Sequence, residues 1–205
     1  MNNTQYICDT NIWVKICLGK LINNLFEKYP GTSFVDFVEN EIVKWNSSDD
    51  KFQNIATEFS AFKSEKFHVI YFKDLDEITK SLIKRDLKEY FGVNIDLVDN
   101  KHKKIENLGE QASLIYAYHL DIPYIQSEDN NFFDQSFISE KFEDIKIISW
   151  SHIISRIILD DMKRIKLNRA IEEQQEVMDK RKIKFKEGQE MEVKLAQLQK
   201  RYSNR

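Results

Sequence analysis

Four acidic residues stand where a chain of alternating strands and helices would gather them. The stretch "QYICDTNIW", residues 5–13, runs apolar as far as Cys8 and then offers Asp9, Thr10 and Asn11 in succession, where a strand hands over to a helix. Each of these side chains can accept hydrogen bonds from the free amides of a first helical turn, so the triplet can be a cap; it can equally begin a site. Glu41 lies in "VENEIVKW", with Glu39 two residues earlier as its rival for the same role. Glu110 opens the run "LGEQASLIYAYHL", and Asp129 follows "PYIQ" inside "SEDNNF", between Glu128 and Asn130. Singly, each has a plain structural role: an N-cap for Asp9, a first-turn acid favoured by the helix dipole for Glu110, an Asx turn for Asp129. Together in one crevice they would raise one another's pKa, a cost that protons or a cation relieve. Mg²⁺ and Mn²⁺ suit such a set, because these hard ions take oxygen ligands and need only one or two carboxylates, leaving positions for water or phosphate oxygens. The matching chemistry is metal-assisted hydrolysis of a phosphodiester.

The elements that must position these residues alternate along the chain. Short β-rich runs fall at Tyr6–Cys8, around Ser33–Val35, at His68–Phe72, at Pro123–Gln126 and at Ile145–Ser149. Helical stretches are expected over about 12–28, 37–46, 52–64, 76–91, 108–120 and 151–159. That order predicts an α/β fold, a three-layer α/β/α arrangement around a mostly parallel sheet, with Asp9 and Asp129 at the carboxyl ends of strands. Residues 1–155 would form this domain. Residues 156–205 read as a charged helical extension of one or two helices, with Gly188 a plausible break and an apolar stripe at Met191, Leu195, Leu198 and Tyr202.

Composition narrows the classes. The chain has 205 residues, of which 41% are hydrophobic and 12% aromatic, ample for a sizeable core. No apolar run approaches a membrane span, and "MNNTQYICD" lacks a basic segment followed by an apolar one, so a soluble cytoplasmic protein without a membrane partner is expected. The net charge of −3 hides an asymmetry. Residues 156–205 carry fourteen Lys or Arg against nine Asp or Glu, whereas residues 1–155 carry 17 bases against 25 acids. So acidic a body is no general polyanion binder, and nucleic acid must be met by local basic patches or by the extension.

The "ICDTNIW" start, the Glu on the helix after the second strand, the "LGEQASLIYAYHLDIPYIQSEDNNF" run and the closing "IKIISW" together resemble a PIN domain. This is the nuclease fold of many toxins of bacterial toxin–antitoxin pairs and of RNA-processing nucleases. The resemblance covers roughly residues 5–155, and its most specific part is the Gly-Glu helix, strand and Ser-Glu-Asp sequence. It implies a metal-dependent endoribonuclease using Mg²⁺ or Mn²⁺, with Asp9, Glu41, Glu110 and Asp129 as the catalytic acids and Asp9, Glu110 and Asp129 as metal ligands. Thr10, Asn11 and Asn130 would support them. A toxin–antitoxin or phage-defence setting is implied, with RNA as substrate and an antitoxin or other protein, or a second copy of the chain in a homodimer, held through the C-terminal helices. Two readings from other classes stand beside it: a catalytically inactive PIN-like binding module, and a DNA-directed structure-specific nuclease. A haloacid dehalogenase-like pattern needs a second Asp where Asn11 stands, and a dinucleotide fold needs a Gly-rich turn that "CDTNIW" lacks.

Lys15, Lys101, Lys103 and Lys104 are the basic residues placed to hold substrate phosphates, the last three in the run "KHKK" just before the Gly-Glu helix. His119, nine residues after Glu110, should point away from the acids, and none of the four histidines has a partner arrangement for a nucleophilic triad. Cys8 and Cys17 match no metal-ligand spacing and are expected as small buried hydrophobes; Trp13, Trp45 and Trp150 are expected in core or interface.

Overall fold

The computed structural model describes residues 4–47, 50–97, 105–178 and 180. In chain order the elements are β1 (Tyr6–Cys8), α1 (Thr10–Leu18), α2 (Ile22–Lys28), β2 (Thr32–Val35), α3 (Asp36–Val43), α4 (Asp50–Phe62), β3 (Val69–Ile70), α5 (Glu77–Phe91), α6 (Leu108–His119), β4 (Tyr124–Gln126), α7 (Asn130–Phe133), α8 (Ser136–Lys141), β5 (Lys146–Ile148) and α9 (Trp150–Ile157). A further helix, α10, covers residues 161–178. The five strands form one sheet in the order β3-β2-β1-β4-β5, parallel throughout. The architecture is therefore α/β, compatible with three layers. Among the described residues no helix is long and apolar enough to cross a membrane.

The strand order carries the functional geometry. From β1 the chain moves outward through β2 and β3, then crosses back past β1 to β4 and β5. The order thus reverses between β1 and β4, and in open α/β sheets the crevice beyond the carboxyl ends of the strands at such a reversal is where ligands bind. The register is fixed by Tyr6 opposite Tyr124 and Cys8 opposite Gln126, so Asp9 and Ser127 emerge side by side into that crevice.

Both faces of the central strands are buried, as a parallel sheet requires. On one face Phe34 of β2 meets Trp13 of α1 with ring centroids 5.5 Å apart and Phe59 of α4 at 4.9 Å, while Phe67 closes the cluster at 4.6 Å from Phe34. Trp13 is fully buried, and its indole N–H donates to the Ile55 carbonyl, so its one polar atom is satisfied. Elsewhere α5 and α6 pack together, and Phe91 of α5 meets Phe132 of α7 and Phe137 of α8. His119 Nε2 lies 2.8 Å from Asp86 Oδ2 on α5, so its role is to join two helices away from the acids. Burial pushes Asp86 up, but the hydrogen bonds from Arg85 and His119 outweigh it and hold the carboxyl below its usual range. Both cysteines are free thiols.

Three local expectations change. The helix expected over 12–28 is two helices, because Lys20 adopts the left-handed conformation at φ 55° and ends α1's run, while Ile16, Leu21, Ile22 and Leu25 on either side of the break still face the core. The strand expected at His68–Phe72 shortens to Val69–Ile70, because Asp36 Oδ2 accepts the Phe72 N–H at 2.8 Å and turns the chain into a 3₁₀ turn at Phe72–Asp74. The stretch 130–141 folds into α7 and α8, too short for a periodic signal, with Phe132, Phe133 and Ile138 buried.

The extension does not simply leave the body. Position 155 falls inside α9, and α10 lies back on α1, with Ile171 and Met178 buried and Asn168 Oδ1 accepting the Trp150 indole N–H at 3.0 Å. The stripe at Met191, Leu195, Leu198 and Tyr202 lies outside the described residues.

Trp13→Ala removes the centre of the aromatic cluster that seats α1, and is expected to lower stability by about 3–5 kcal/mol. Urea unfolding of the variant beside the natural chain measures this; a loss below about 1 kcal/mol would mean that the cluster does not hold α1.

Candidate active site

Asp9 ends β1 and caps α1. Its backbone is extended, at φ −83° and ψ 160°, so its side chain turns back onto the first amides of the helix. Oδ1 accepts the Thr10 N–H at 2.7 Å and Oδ2 accepts the Ser127 hydroxyl at 3.1 Å. Only 1% of the residue is exposed. Burial is the largest influence on its carboxyl, followed by the nearby charge of Glu110; the Thr10 N–H and Ser127 hydroxyl oppose, Glu41 adds, and the pKa is pushed up to about 8.

Three further acids come to the same crevice from three other elements. Glu41, on α3, stands at its exposed mouth, and its Oε2 accepts the Thr10 hydroxyl at 2.8 Å. Glu110, in the first turn of α6, is raised above its usual range by burial and then by the charges of Glu41 and Asp129. Asp129 caps α7 through Oδ1, which accepts the Phe132 N–H at 3.0 Å, while its own N–H donates to Ser127 Oγ at 3.2 Å. Gly109 stands among them. A Cβ there would lie 3.6 Å from Glu41 Oε2 and 3.9 Å from Asp9 Oδ1, so the bare backbone of α6 approaches both carboxylates closely.

The choice between Glu39 and Glu41 resolves by facing. Glu39 is engaged by Lys63 Nζ at 2.6 Å, and the same ammonium donates to the Tyr71 hydroxyl, which leaves Glu41 as the α3 acid beside Thr10 and Asp9. Thr10 thus links two acids, whereas Asn11 is exposed and lines an open groove of about 550 Å³ shared with Lys15, Glu128, Asp129, Glu172, Gln175 and Glu176. Asn130 is exposed at the start of α7. Lys15 is ion-paired with Glu128 and sits 5.7 Å from the Trp150 ring centroid. Lys101, Lys103 and Lys104 lie outside the described residues.

Compared with known proteins, the chain matches no family model, no curated protein and no solved structure. The site must therefore be judged on its own chemistry. Its donors are carboxylate oxygens with hydroxyls behind them, buried and then crowded so that Asp9 and Glu110 are shifted towards their protonated forms, a set whose oxygen donors suit a hard divalent cation. Among the described residues no group of three or more His, Cys, Asp or Glu side chains is placed to hold a metal ion. Mg²⁺ does not require such a group, since it keeps several waters and binds through one or two carboxylates.

Register and packing, rather than local pattern, bring four more residues to the site. Ser127 bridges Asp9 and the loop of Asp129 only because β1 and β4 pair in this register, and Glu172, Gln175 and Glu176 reach the groove only because α10 folds back.

The raised carboxyl of Asp9 fixes a pH dependence. Its folded-state pKa lies above the unfolded value, so the stability gained by burying it neutral is full below about pH 4 and is lost as pH rises towards 8; Glu110 shifts in the same direction. In EDTA the natural chain is expected to lose stability to urea between about pH 5 and 8, and Asp9→Asn to lose clearly less. Equal slopes for the two proteins would mean that Asp9 is not the group titrating.

Proposed function

We propose that this chain is a metal-dependent endonuclease of the PIN type that hydrolyses RNA phosphodiesters. The observation that carries the reading is the convergence of Asp9, Glu41 and Glu110, from β1, α3 and α6, at the point where the strand order reverses, with Asp9 buried among them and Asp129 on the adjoining loop. The PIN-like residue order supports the same conclusion. A purely structural role for these acids would not need like charges gathered from four elements into one crevice.

In this reading Asp9, Glu110 and Asp129 would hold the divalent cation, with Glu41 beside them. Bound there, Mg²⁺ or Mn²⁺ supplies an activated water and offsets the charge that develops on the phosphodiester. The chain's own groups keep the carboxylates in place. The Thr10 N–H and the Ser127 hydroxyl aim the two oxygens of Asp9, and the Thr10 hydroxyl does the same for Glu41. Through its second bond Ser127 ties the Asp129 loop to Asp9, so the acids of β1 and β4 move together. Partners behind the ligands commonly matter 10- to 100-fold, and Ser127 is such a partner.

The test is cleavage of labelled single-stranded RNA, structured RNA, single-stranded DNA and branched DNA in Mn²⁺, Mg²⁺ or EDTA. RNA cleavage that needs metal, is abolished in Asp9→Asn and Asp129→Asn, and falls about 10- to 100-fold in Ser127→Ala is the expected result. Preference for branched DNA would reassign the substrate. Silence from a folded protein in every condition would leave a binding module.

A further inference from the structure

The extension as a whole is basic, yet the part of α10 that reaches the site is not. Residues 171–178, "IEEQQEVM", hold three Glu and no Lys or Arg. The helix is seated on α1 at a defined place. A Cβ on Gly19 would stand 3.1 Å from Ile171 Cδ1 and 3.2 Å from Leu21 Cδ1, so the glycine leaves the notch that the Ile171 side chain occupies. Met178, nearly two turns on, is buried as well, and the Trp150 indole N–H bound to Asn168 Oδ1 holds the preceding turn. Asp160 caps the start of the helix by accepting the Lys163 N–H at 2.9 Å, three residues after α9 ends.

With Ile171 in that notch, helical spacing carries Glu172, Gln175 and Glu176 round to the flank facing the groove, where they line it together with Asn11, Lys15, Glu128 and Asp129. Three carboxylates and one ammonium thus border the approach to Asp129, and the ammonium is already bound to Glu128. A polynucleotide brought to the acids along this groove passes the two α10 carboxylates, while Lys15 in the lining is already paired with Glu128. Phosphates passing through the groove come within the screening length of those carboxylates, about 8 Å at physiological salt, and are repelled.

We infer that α10 is an autoinhibitory strap: seated by Ile171 in the Gly19 notch, it holds Glu172, Gln175 and Glu176 across the polynucleotide approach to the acidic site, and full activity requires the helix to lift or its charges to be neutralised. The inference rests on the nuclease reading.

Two full-length variants test it. Glu172→Gln with Glu176→Gln removes the charges, and Ile171→Asp unseats the helix; circular dichroism and urea unfolding check that each remains folded. The control is Glu140→Gln with Glu173→Gln, the same charge change at exposed positions outside the groove lining. The measurements are the rate of cleavage of a single-stranded RNA at sub-saturating concentration in Mn²⁺ and the KM. Both variants are expected to cleave about tenfold faster than the natural chain, chiefly through a lower KM, with the control within about twofold. A natural chain that cleaves while both variants match it or fall below it overturns the strap and leaves the nuclease standing. An equal gain in the control overturns the strap too, because the effect would be net charge alone. Silence from every form, each folded, removes the nuclease reading and the strap with it.

Discussion

Taking the Asp9 carboxyl out of water is the constraint around which the rest of the chain is arranged. A buried carboxylate is costly unless hydrogen bonds or a counter-charge compensate it, and this one has two hydrogen bonds and, among the described residues, no cation among the groups that shift it. Its neighbours make the cost worse, since Glu110 and Glu41 are of the same sign. A fold selected for stability alone would place Asn at this position, where the caps survive and the charge is gone. Retaining an acid here makes sense where a cation or a proton is part of the working state.

The scaffold meets this constraint by rigidity on one side and compliance on the other. Asp9 hangs between β1 and α1, and α1 is pinned by Trp13 against Phe34, Phe59 and Phe67, so the carboxylate has little freedom to swing away from its rivals. Of the neighbouring acids, Asp129 caps α7 just after β4, and Glu110 stands in the first turn of α6. By contrast α10 is attached through a three-residue link and a narrow seat of Ile171, Met178 and Asn168. Those anchors are separate from the hydrogen bonds that hold the acids.

Charge distribution reinforces that division. The body is acidic and the extension basic, yet where they meet at the groove both sides are acidic, and Lys15 is neutralised by Glu128. The basic charge of the extension and the acidic lining of the groove therefore lie on different stretches of one chain.

The sequence by itself determined the alternation of strand and helix and the parallel sheet, and it offered Asp9, Glu110 and Asp129 as candidate acids, because these depend on local periodicity and on residue types at element ends. It left Glu39 and Glu41 open, since both lie on one helix two residues apart; the facing of α3, with Lys63 on one acid and Thr10 on the other, separated them. The break at Lys20 was hidden because apolar residues continue on the same side across it. Ser127 and Gly109 acquired their places only when β1 paired with β4 and α6 crossed their ends, contacts between residues more than a hundred positions apart for Asp9 and its bonded Ser127. The same holds for Glu172, Gln175 and Glu176, whose neighbours in space are set by how Ile171 fits against Gly19. Local pattern can specify which residues a strand end or helix face presents; which of them meet is decided by register and packing, and those are settled only when the whole chain is folded.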